Sequence, residues 1–194
     1  MQINIEARSG EYQIRSRKQT MSIYEIAGKR PVIAADAFIH PDATVIGEVT
    51  IGNLCFIGPG VVIRADCGPI SIGNGSNIQD NAVIHVDTNS RVIIEDNVLI
   101  AHSAVLHDVH IHPFSIIGMG AILLQNVICE EQVLVAAGSV VTPGTRIPAN
   151  KMAAGNPAKI IKDVSADFLS QVRSGIDVYK KLAMQYRESL VKIV

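Results

Sequence analysis

The chain has 194 residues and a formal charge of −1, from 17 basic and 18 acidic side chains. This balance gives no electrostatic footprint for nucleic acid or for an anionic membrane surface, so we expect neither partner. Hydrophobic residues make up 48% of the chain but aromatic residues only 4%, so the core must be built from many small aliphatic side chains, as in a solenoid. Cys55, Cys67 and Cys129 form no paired motif, which favours a reducing, cytoplasmic location.

The first twenty residues lack the pattern that organises the rest of the chain. They carry six charged side chains and no uninterrupted apolar segment, so they do not form a secretory signal. We expect this leader, residues 1–20, to be an extra segment, a disordered one or a capping strand. The most apolar window, residues 113–129, is too short for a membrane span and predicts buried strands.

From residue 33 onwards, Ile, Val or Leu recurs at every sixth position, with Cys129 as the one exception. The series runs from Ile33 to Ile147, with a three-residue slip before Ile72, a four-residue slip before Ile94 and a one-residue shortening before Val105. A small residue follows four positions after nearly every member. This period is typical of a parallel β-helix, in which three units form one triangular coil. Nineteen units therefore predict about six coils.

Slips in a solenoid become loops, where function tends to lie. Counting units from Ile84 places His85 and His107 on the same face, one coil apart and about 4.8 Å from each other. Two imidazoles at this spacing can share one metal ion. His102 lies on the preceding face, and the count leaves open whether it reaches the same ion or meets the pair of a second chain.

Three imidazoles with an open fourth position form the arrangement in which zinc lowers the pKa of its bound water to about 7. Other polar side chains lie beside the interrupted repeat. Arg64 and Asp66 form either a surface ion pair or an interface network with Asp80, and Gln79 either bonds a loop or orients a hydroxide. The remaining histidines, His40, His110 and His112, are interpreted as solvated surface residues.

The last segment predicts a helix. Ser165 is a credible N-cap, and apolar residues follow it at helical spacing. We expect the helix to run from about Ala166 to Leu190, with its apolar stripe along the solenoid or on a neighbouring subunit. The chain would then consist of the leader, a β-helix with the metal site over residues 21–164, and the helical segment 165–194.

These motifs resemble the γ-class carbonic anhydrase family and, within it, the hexapeptide proteins of phenylacetate and carnitine metabolism. The resemblance covers about residues 21–186. It rests on Arg64-x-Asp66, on Asn77-x-Gln79-Asp80 followed by His85, on His102 and His107 five positions apart, on the segment 117–120, and on the sequence GNPAK at 155–159.

The resemblance implies a left-handed β-helix that assembles as a homotrimer and binds zinc or iron between subunits. The metal ligands would be His85 and His107 of one subunit and His102 of the next. The implied reaction is the reversible hydration of CO2 to bicarbonate by a metal-bound hydroxide. The other site residues it implies are Asn77 and Gln79, which place hydroxide and substrate, and Arg64, Asp66 and Asp80, which form intersubunit ion pairs.

The sequence departs from the family prototype beside the first histidine. Residues 86–91 offer Asp87 as their one acid, where the prototype has an acidic loop that exports protons, and Cys67 stands in place of an active-site glutamate. Ala101 and Asp108 replace glycines common beside the other two histidines. Tyr179 resembles a tyrosine of relatives without the acidic loop, although we interpret it as a packing residue.

Three other functions compete with the hydratase hypothesis. The same metal site could cleave an acyl-CoA thioester, as the phenylacetate-pathway relatives suggest. A CoA-dependent acyltransferase would share the fold, but it needs one histidine as general base and not three converging ones. A non-catalytic trimeric scaffold would be favoured if the site held no metal.

Overall fold

The computed structural model describes residues 22–193. The predicted leader, residues 1–20, lies outside this range. The described chain is a parallel β-solenoid of about seven turns followed by a single C-terminal helix, which confirms the predicted fold class. No helix within residues 22–193 is long and apolar enough to cross a membrane.

Most of the twenty strands within residues 22–193 are only two or three residues long, as expected when the chain bends at every sixth residue. In chain order they are β1 (Ser22–Tyr24), β2 (Val32–Ile33), β3 (Phe38–Ile39), β4 (Thr44–Ile51), β5 (Phe56–Ile57), β6 (Val62–Ile72), β7 (Asn77–Ile78), β8 (Val83–His85), β9 (Val92–Ile94), β10 (Leu99–Ile100), β11 (Val105–His107), β12 (His110–Ile111), β13 (Ile116–Ile117), β14 (Ile122–Leu123), β15 (Ile128–Cys129), β16 (Leu134–Val135), β17 (Val140–Val141), β18 (Arg146–Ile147), β19 (Lys151–Gly155) and β20 (Ala158–Asp163).

The strands stack in parallel into three faces. The first face contains β1, the start of β4, the start of β6, β8, β11, β14 and β17. The second contains β2, the ends of β4 and β6, β9, β12, β15 and β18. The third contains β3, β5, β7, β10, β13, β16 and β19. Two strands, β1 and β19, lie outside the hexapeptide series, which is why the solenoid has about seven turns where the repeat predicted about six.

The repeating aliphatic residues fill the axis of the solenoid. Ile57, Ile63, Ile78 and Ile84 are 0% exposed, as the repeat predicts. Burying such side chains stabilises the fold by about 1.5–3 kcal/mol each. Burial also raises the pKa of the Cys129 thiol to about 12, so this cysteine acts as a packing residue.

One position of the predicted core is wrong. Val105 was expected to point inward, but it is 37% exposed, whereas Leu106 is 0% exposed and pairs with Ile84 and Leu123. The one-residue shortening of the repeat therefore follows Leu106 and does not precede Val105. The chain absorbs it at the next corner, where Asp108 has a φ of +54°.

The C-terminal helix, α1 (Ala166–Ser189), begins where the sequence predicts. The Ser165 hydroxyl caps it by accepting a hydrogen bond from the Phe168 N–H at 3.3 Å. The helix lies along the third face, against β3, β5 and β7. Its Ala183 is buried with Phe38 and Phe56 of that face, so the apolar stripe covers its own solenoid.

The solenoid ends in a strand of opposite direction. Strand β20 pairs antiparallel with β19, with Lys151 opposite Asp163 and Gly155 opposite Ala158. An ion pair between Lys151 and Asp163 ties the two strands together. The outward residues of β20 include Lys159 and Lys162, which are exposed.

Candidate metal centre

Two histidines stand directly above one another on the first face. Strands β8 and β11 pair in register, with His107 opposite His85. Nδ1 of His85 lies 3.0 Å from Nε2 of His107, and the ring centroids are 4.9 Å apart at an angle of 70°. The stacked pair predicted from the repeat is therefore present, and the corrected position of Leu106 explains its register.

Each ring of the pair has a carboxylate on its other side. Nε2 of His85 lies 3.3 Å from Oδ1 of Asp66, and Nδ1 of His107 lies 3.1 Å from Oδ2 of Asp108. A carboxylate at one nitrogen holds the ring proton there and leaves the opposite nitrogen as a lone-pair donor.

These contacts test whether the residues fit a metal ion. In the tautomers that the carboxylates favour, the lone pairs of His85 Nδ1 and His107 Nε2 face each other at 3.0 Å, whereas in the other tautomer of either ring one nitrogen donates a hydrogen bond to the other. Two such lone pairs repel unless a cation lies between or beside them. Zinc binds imidazole nitrogen at about 2.0–2.1 Å, so one ion can reach both nitrogens after a small adjustment. The pair therefore fits a divalent metal.

Asp66 joins the pair to Arg64. The Arg64 guanidinium donates to Asp66 Oδ2 at 2.6 Å. Burial would raise the pKa of the Asp66 carboxyl, but the hydrogen bond and positive charge of Arg64, with a smaller contribution from His85, outweigh burial and hold the pKa at about 2. Asp66 is therefore ionised at neutral pH and can orient His85.

Asp108 is a site residue whose role the sequence reasoning missed. Its side chain is 4% exposed, and Oδ1 accepts a hydrogen bond from the Asp87 N–H at 2.8 Å while Oδ2 faces His107. The hydrogen bond with Asp87 links the end of β11, which carries His107, to the loop that follows His85. The sequence could have identified Asp108, because its carboxylate directly follows His107 at the point where the repeat shortens.

Asp87 is the exposed acid of the centre. Its Oδ1 lies 3.9 Å from Nε2 of His107, and its side chain is 58% exposed. His85, Asp87 and His107 each offer a ligand atom, and these atoms lie within 4.8 Å of one another. Cys67, which is exposed, forms a similar group with Asp66 and His85.

The remaining predicted site residues form a second cluster. Nδ1 of His102 lies 2.8 Å from Oδ2 of Asp80, and the Gln79 amide donates to Asn77 Oδ1 at 3.0 Å. Gln79 and Asn77 are buried, at 4% and 0% exposed. Among the described residues, nothing accepts a hydrogen bond from the buried Asn77 Nδ2.

The two clusters lie at opposite ends of the same strands. His102 is in the corner before β11, and His107 is the last residue of that strand. Within the described chain, His102 belongs to no group of ligands that includes His85 or His107. We call Arg64, Asp66, His85, His107 and Asp108 the pair cluster, and Asn77, Gln79, Asp80 and His102 the corner cluster.

Helix α1 brings a tyrosine towards the corner cluster. Burial raises the pKa of the Tyr179 hydroxyl, and the negative charge of Asp80 and the neighbouring Tyr186 raise it further. Tyr179 also contacts Phe56 edge to face, with ring centroids 5.4 Å apart. The packing role expected from the sequence is therefore present, together with proximity to Asp80.

Comparisons with known proteins agree with this fold. The family described as bacterial transferase hexapeptide (six repeats) matches residues 30–65. Over 172 residues the chain is 37% identical to the carnitine operon protein CaiE of Proteus sp. (strain LE138), covering 89% of this chain and 87% of that protein. The hexapeptide transferase family protein from Anaplasma phagocytophilum has a TM-score of 0.82 at 33% identity, covering 84% of this chain and 97% of that one.

A second group of relatives carries a functional name. The chain is 37% identical over 180 residues to gamma carbonic anhydrase 1, mitochondrial, of Arabidopsis thaliana, which covers 90% of this chain. The chain spans 64% of the length of that relative and 62% of the length of gamma carbonic anhydrase 2, mitochondrial, of the same organism.

The solenoid with its stacked histidines and flanking carboxylates defines a hexapeptide-repeat protein with a candidate metal centre on one outer face. The sequence identity to known proteins over most of the chain then identifies its family. It belongs to the hexapeptide-repeat family that contains the γ-class carbonic anhydrases and the carnitine operon proteins.

Proposed function

We propose that the protein is a metal-dependent hydratase that converts CO2 to bicarbonate where two subunits of a homotrimer meet. The observation that carries this proposal is the His85–His107 pair, whose facing nitrogens are 3.0 Å apart and whose outer nitrogens face carboxylates. The γ-class carbonic anhydrases among the relatives support the reaction.

Imidazoles of the site would hold a zinc or iron ion. Zinc bound in this way would lower the pKa of a coordinated water to about 7 and so supply a nucleophile at neutral pH. The chain's own residues prepare the site for it. Asp66 and Asp108 hold the protons of His85 Nε2 and His107 Nδ1, which keeps the facing nitrogens free to bind. Arg64 keeps Asp66 ionised.

The pair cluster supplies two ligands, so a third must come from elsewhere. His102 lies at the far end of β11 in the same chain, and we infer that a neighbouring subunit brings its own corner cluster against the pair cluster. Gln79 would arrive with His102. Because the Gln79 amide nitrogen is held by Asn77, its oxygen is free to accept a hydrogen bond from the attacking group.

Hydration of CO2 also releases one proton for each bicarbonate formed. Asp87 is placed to take it, because Oδ1 lies 3.9 Å from His107 Nε2 and the side chain is open to solvent. This single carboxylate would perform the role that an acidic loop performs in the family prototype.

The first experiment measures CO2 hydration by stopped flow on protein loaded with zinc or with iron. We expect hydration clearly above the buffer rate and its loss in His102→Ala, with the oligomer intact by size exclusion. A loaded wild-type protein no faster than buffer would end the hydratase proposal.

A mixed-trimer experiment tests the shared site. Chains with His102→Ala and chains with both His85→Ala and His107→Ala are produced together with different tags, and trimers carrying both tags are purified. In any mixed ring of three, one interface of the three joins an intact pair to an intact His102, so activity should recover to about one third of wild type. Each parent trimer should remain at the buffer rate. Mixed trimers without activity would contradict the intersubunit site.

A CoA-dependent acyltransferase is the second candidate function. It is favoured by a Bacillus cereus crystal structure, described provisionally as an acetyltransferase, with a TM-score of 0.86 at 34% identity. Release of free CoA thiol from an acyl-CoA by the purified protein would indicate the acyltransferase or the thioesterase. The hydratase would release no CoA thiol. Activity that survives His85→Ala would favour transfer without a metal.

A further inference from the structure

We propose that Glu95, His110 and His112 form a second site, separate from the pair cluster, for a divalent transition-metal ion of the zinc, nickel or copper type. These residues lie on the second face, and the sequence analysis had interpreted the two histidines as solvated surface residues. The proposal goes beyond the hydratase function and does not depend on it.

The solenoid places the three residues on adjacent turns. His110 begins β12, His112 follows that strand, and Glu95 follows β9 one turn earlier. The Glu95 N–H donates to the Ile111 carbonyl at 2.9 Å, which fixes the carboxylate beneath the two histidines. Backbone pairing, and not a flexible loop, therefore sets the spacing of the ligands.

All three side chains converge on one point. Oε1 of Glu95 lies 2.6 Å from Nε2 of His110 and 3.1 Å from Nδ1 of His112. The imidazole rings stack with centroids 4.1 Å apart and an angle of 22° between planes. One ligand atom from each residue lies within 4.8 Å of the others. The side chains are 27–34% exposed, so an ion can enter from solvent.

A further carboxylate supports one of the ligands from outside. Oε2 of Glu130 lies 3.9 Å from Nε2 of His112, and Glu130 is itself ion-paired to Arg146. This distance is beyond hydrogen-bond range, so Glu130 acts on His112 through its charge, which favours the proton on Nε2 and leaves Nδ1 as the lone-pair donor. At His85 and His107 the corresponding carboxylates are closer, at 3.3 and 3.1 Å.

The donor set selects the class of ion. Two imidazoles and one carboxylate suit zinc and other transition metals, whereas magnesium and calcium prefer oxygen ligands alone. The alternative is a cluster of hydrogen bonds around Glu95 that binds no ion. His40 offers a comparison within the chain, because it faces a single carboxylate, Asp42, at 3.8 Å.

The test uses full-length protein with His85→Ala and His107→Ala, which removes the pair cluster, and it measures zinc binding by competition with a chelator. We expect about one zinc ion per chain in this background and none after adding His112→Ala. Adding His40→Ala should leave the stoichiometry at one. Adding Glu130→Gln should weaken zinc binding by less than the roughly 10–100-fold typical of outer partners that hydrogen-bond a metal ligand.

Copper provides a spectroscopic readout of the ligands. In the same background, the electron paramagnetic resonance spectrum of bound Cu²⁺ should show coupling to two imidazole nitrogens, and one nitrogen after His110→Ala. Glu95→Gln keeps the size of the side chain, and circular dichroism verifies that each variant is folded. Absence of bound zinc in the background protein, or binding unchanged by both His112→Ala and Glu95→Gln, would overturn the proposal. Neither outcome tests CO2 hydration, because the background protein lacks the two histidines of the pair cluster.

Discussion

Replacing Asp66 by asparagine tests the electrostatic connection between Arg64 and His85. The carboxylate has a pKa of about 2 in the folded chain, against an ordinary value of 3.8. Because one pKa unit is worth about 1.4 kcal/mol, full linkage would give at most about 2.5 kcal/mol of stability at neutral pH. The Arg64 side chain is 43% exposed, so solvent screening reduces the expected loss in Asp66→Asn to about 1–1.5 kcal/mol.

The direction of the pH dependence follows from the lowered pKa. A carboxyl whose folded pKa lies below its unfolded pKa contributes its full stability above the unfolded value and loses it as pH falls through the folded value. The difference between wild type and Asp66→Asn should therefore be constant from pH 5 to 8. It should shrink from about pH 4 downwards and nearly vanish near pH 2.

Urea unfolding at pH 7, 4, 3 and 2 measures this difference. Both proteins are treated with chelator, so that metal binding does not contribute, and are compared at equal subunit concentration, because oligomer stability depends on it. Asp42→Asn is the control, since the Asp42 side chain is 75% exposed and its loss should change stability by less than about 0.5 kcal/mol. A destabilisation of Asp66→Asn that is as large at pH 2 as at pH 7 would refute the electrostatic explanation.

Two further predictions concern the metal centre and the corners of the solenoid. Asp108→Asn keeps the acceptor for the Asp87 N–H and suits the positive φ of the site, but it removes the charge facing His107, so zinc affinity should fall about 10–100-fold in a chelator competition. Unchanged affinity would show that Asp108 does not orient the ligand. Gly47→Ala should lower the unfolding free energy by several kcal/mol, because the new Cβ would lie 2.3 Å from the Ala65 carbonyl oxygen at a φ of +85°. The matched Gly120→Ala, at a φ of +64° with nothing within 4 Å, should cost about 1–2 kcal/mol, and equal losses in denaturant melts would contradict the steric argument.

The solenoid could be predicted from the sequence because each turn repeats the same physical requirement. An aliphatic residue must fill the axis at every sixth position, so Ile57, Ile63 and Ile84 identify the core without reference to distant contacts. The prediction was wrong at Val105 because two neighbouring aliphatic residues, Val105 and Leu106, could both continue the series. Only pairing with the adjacent turns decides between them.

The metal centre could be predicted in part. Unit counting placed His85 above His107, since stacking in a solenoid follows directly from the repeat. The carboxylate of Asp108 could not be assigned a role in this way, because it depends on how the chain bends where the repeat loses a residue. Its contact with His107 is set by that bend and not by the period.

The second face shows the limit of reasoning from single residues. His110 and His112 flank one position of a strand and so point outwards, which is typical of solvated side chains. Glu95 follows Ile94, which pairs with Ile111 on the next turn. Counting three units from Ile94 to Ile111, across the one-residue shortening, would have placed Glu95 beside the two histidines.

The reversed direction of β20 limits how the molecule can grow. A parallel solenoid presents, at its last turn, a row of unpaired backbone groups that could template another molecule and lead to an open-ended fibre. Here the chain covers the edge of the third face, because β20 pairs antiparallel with β19, and the exposed lysines of β20 disfavour edge-to-edge addition. Within the described residues, β17 and β18 end the other two faces without a further partner strand, so head-to-tail addition at this end is disfavoured on one face of the three.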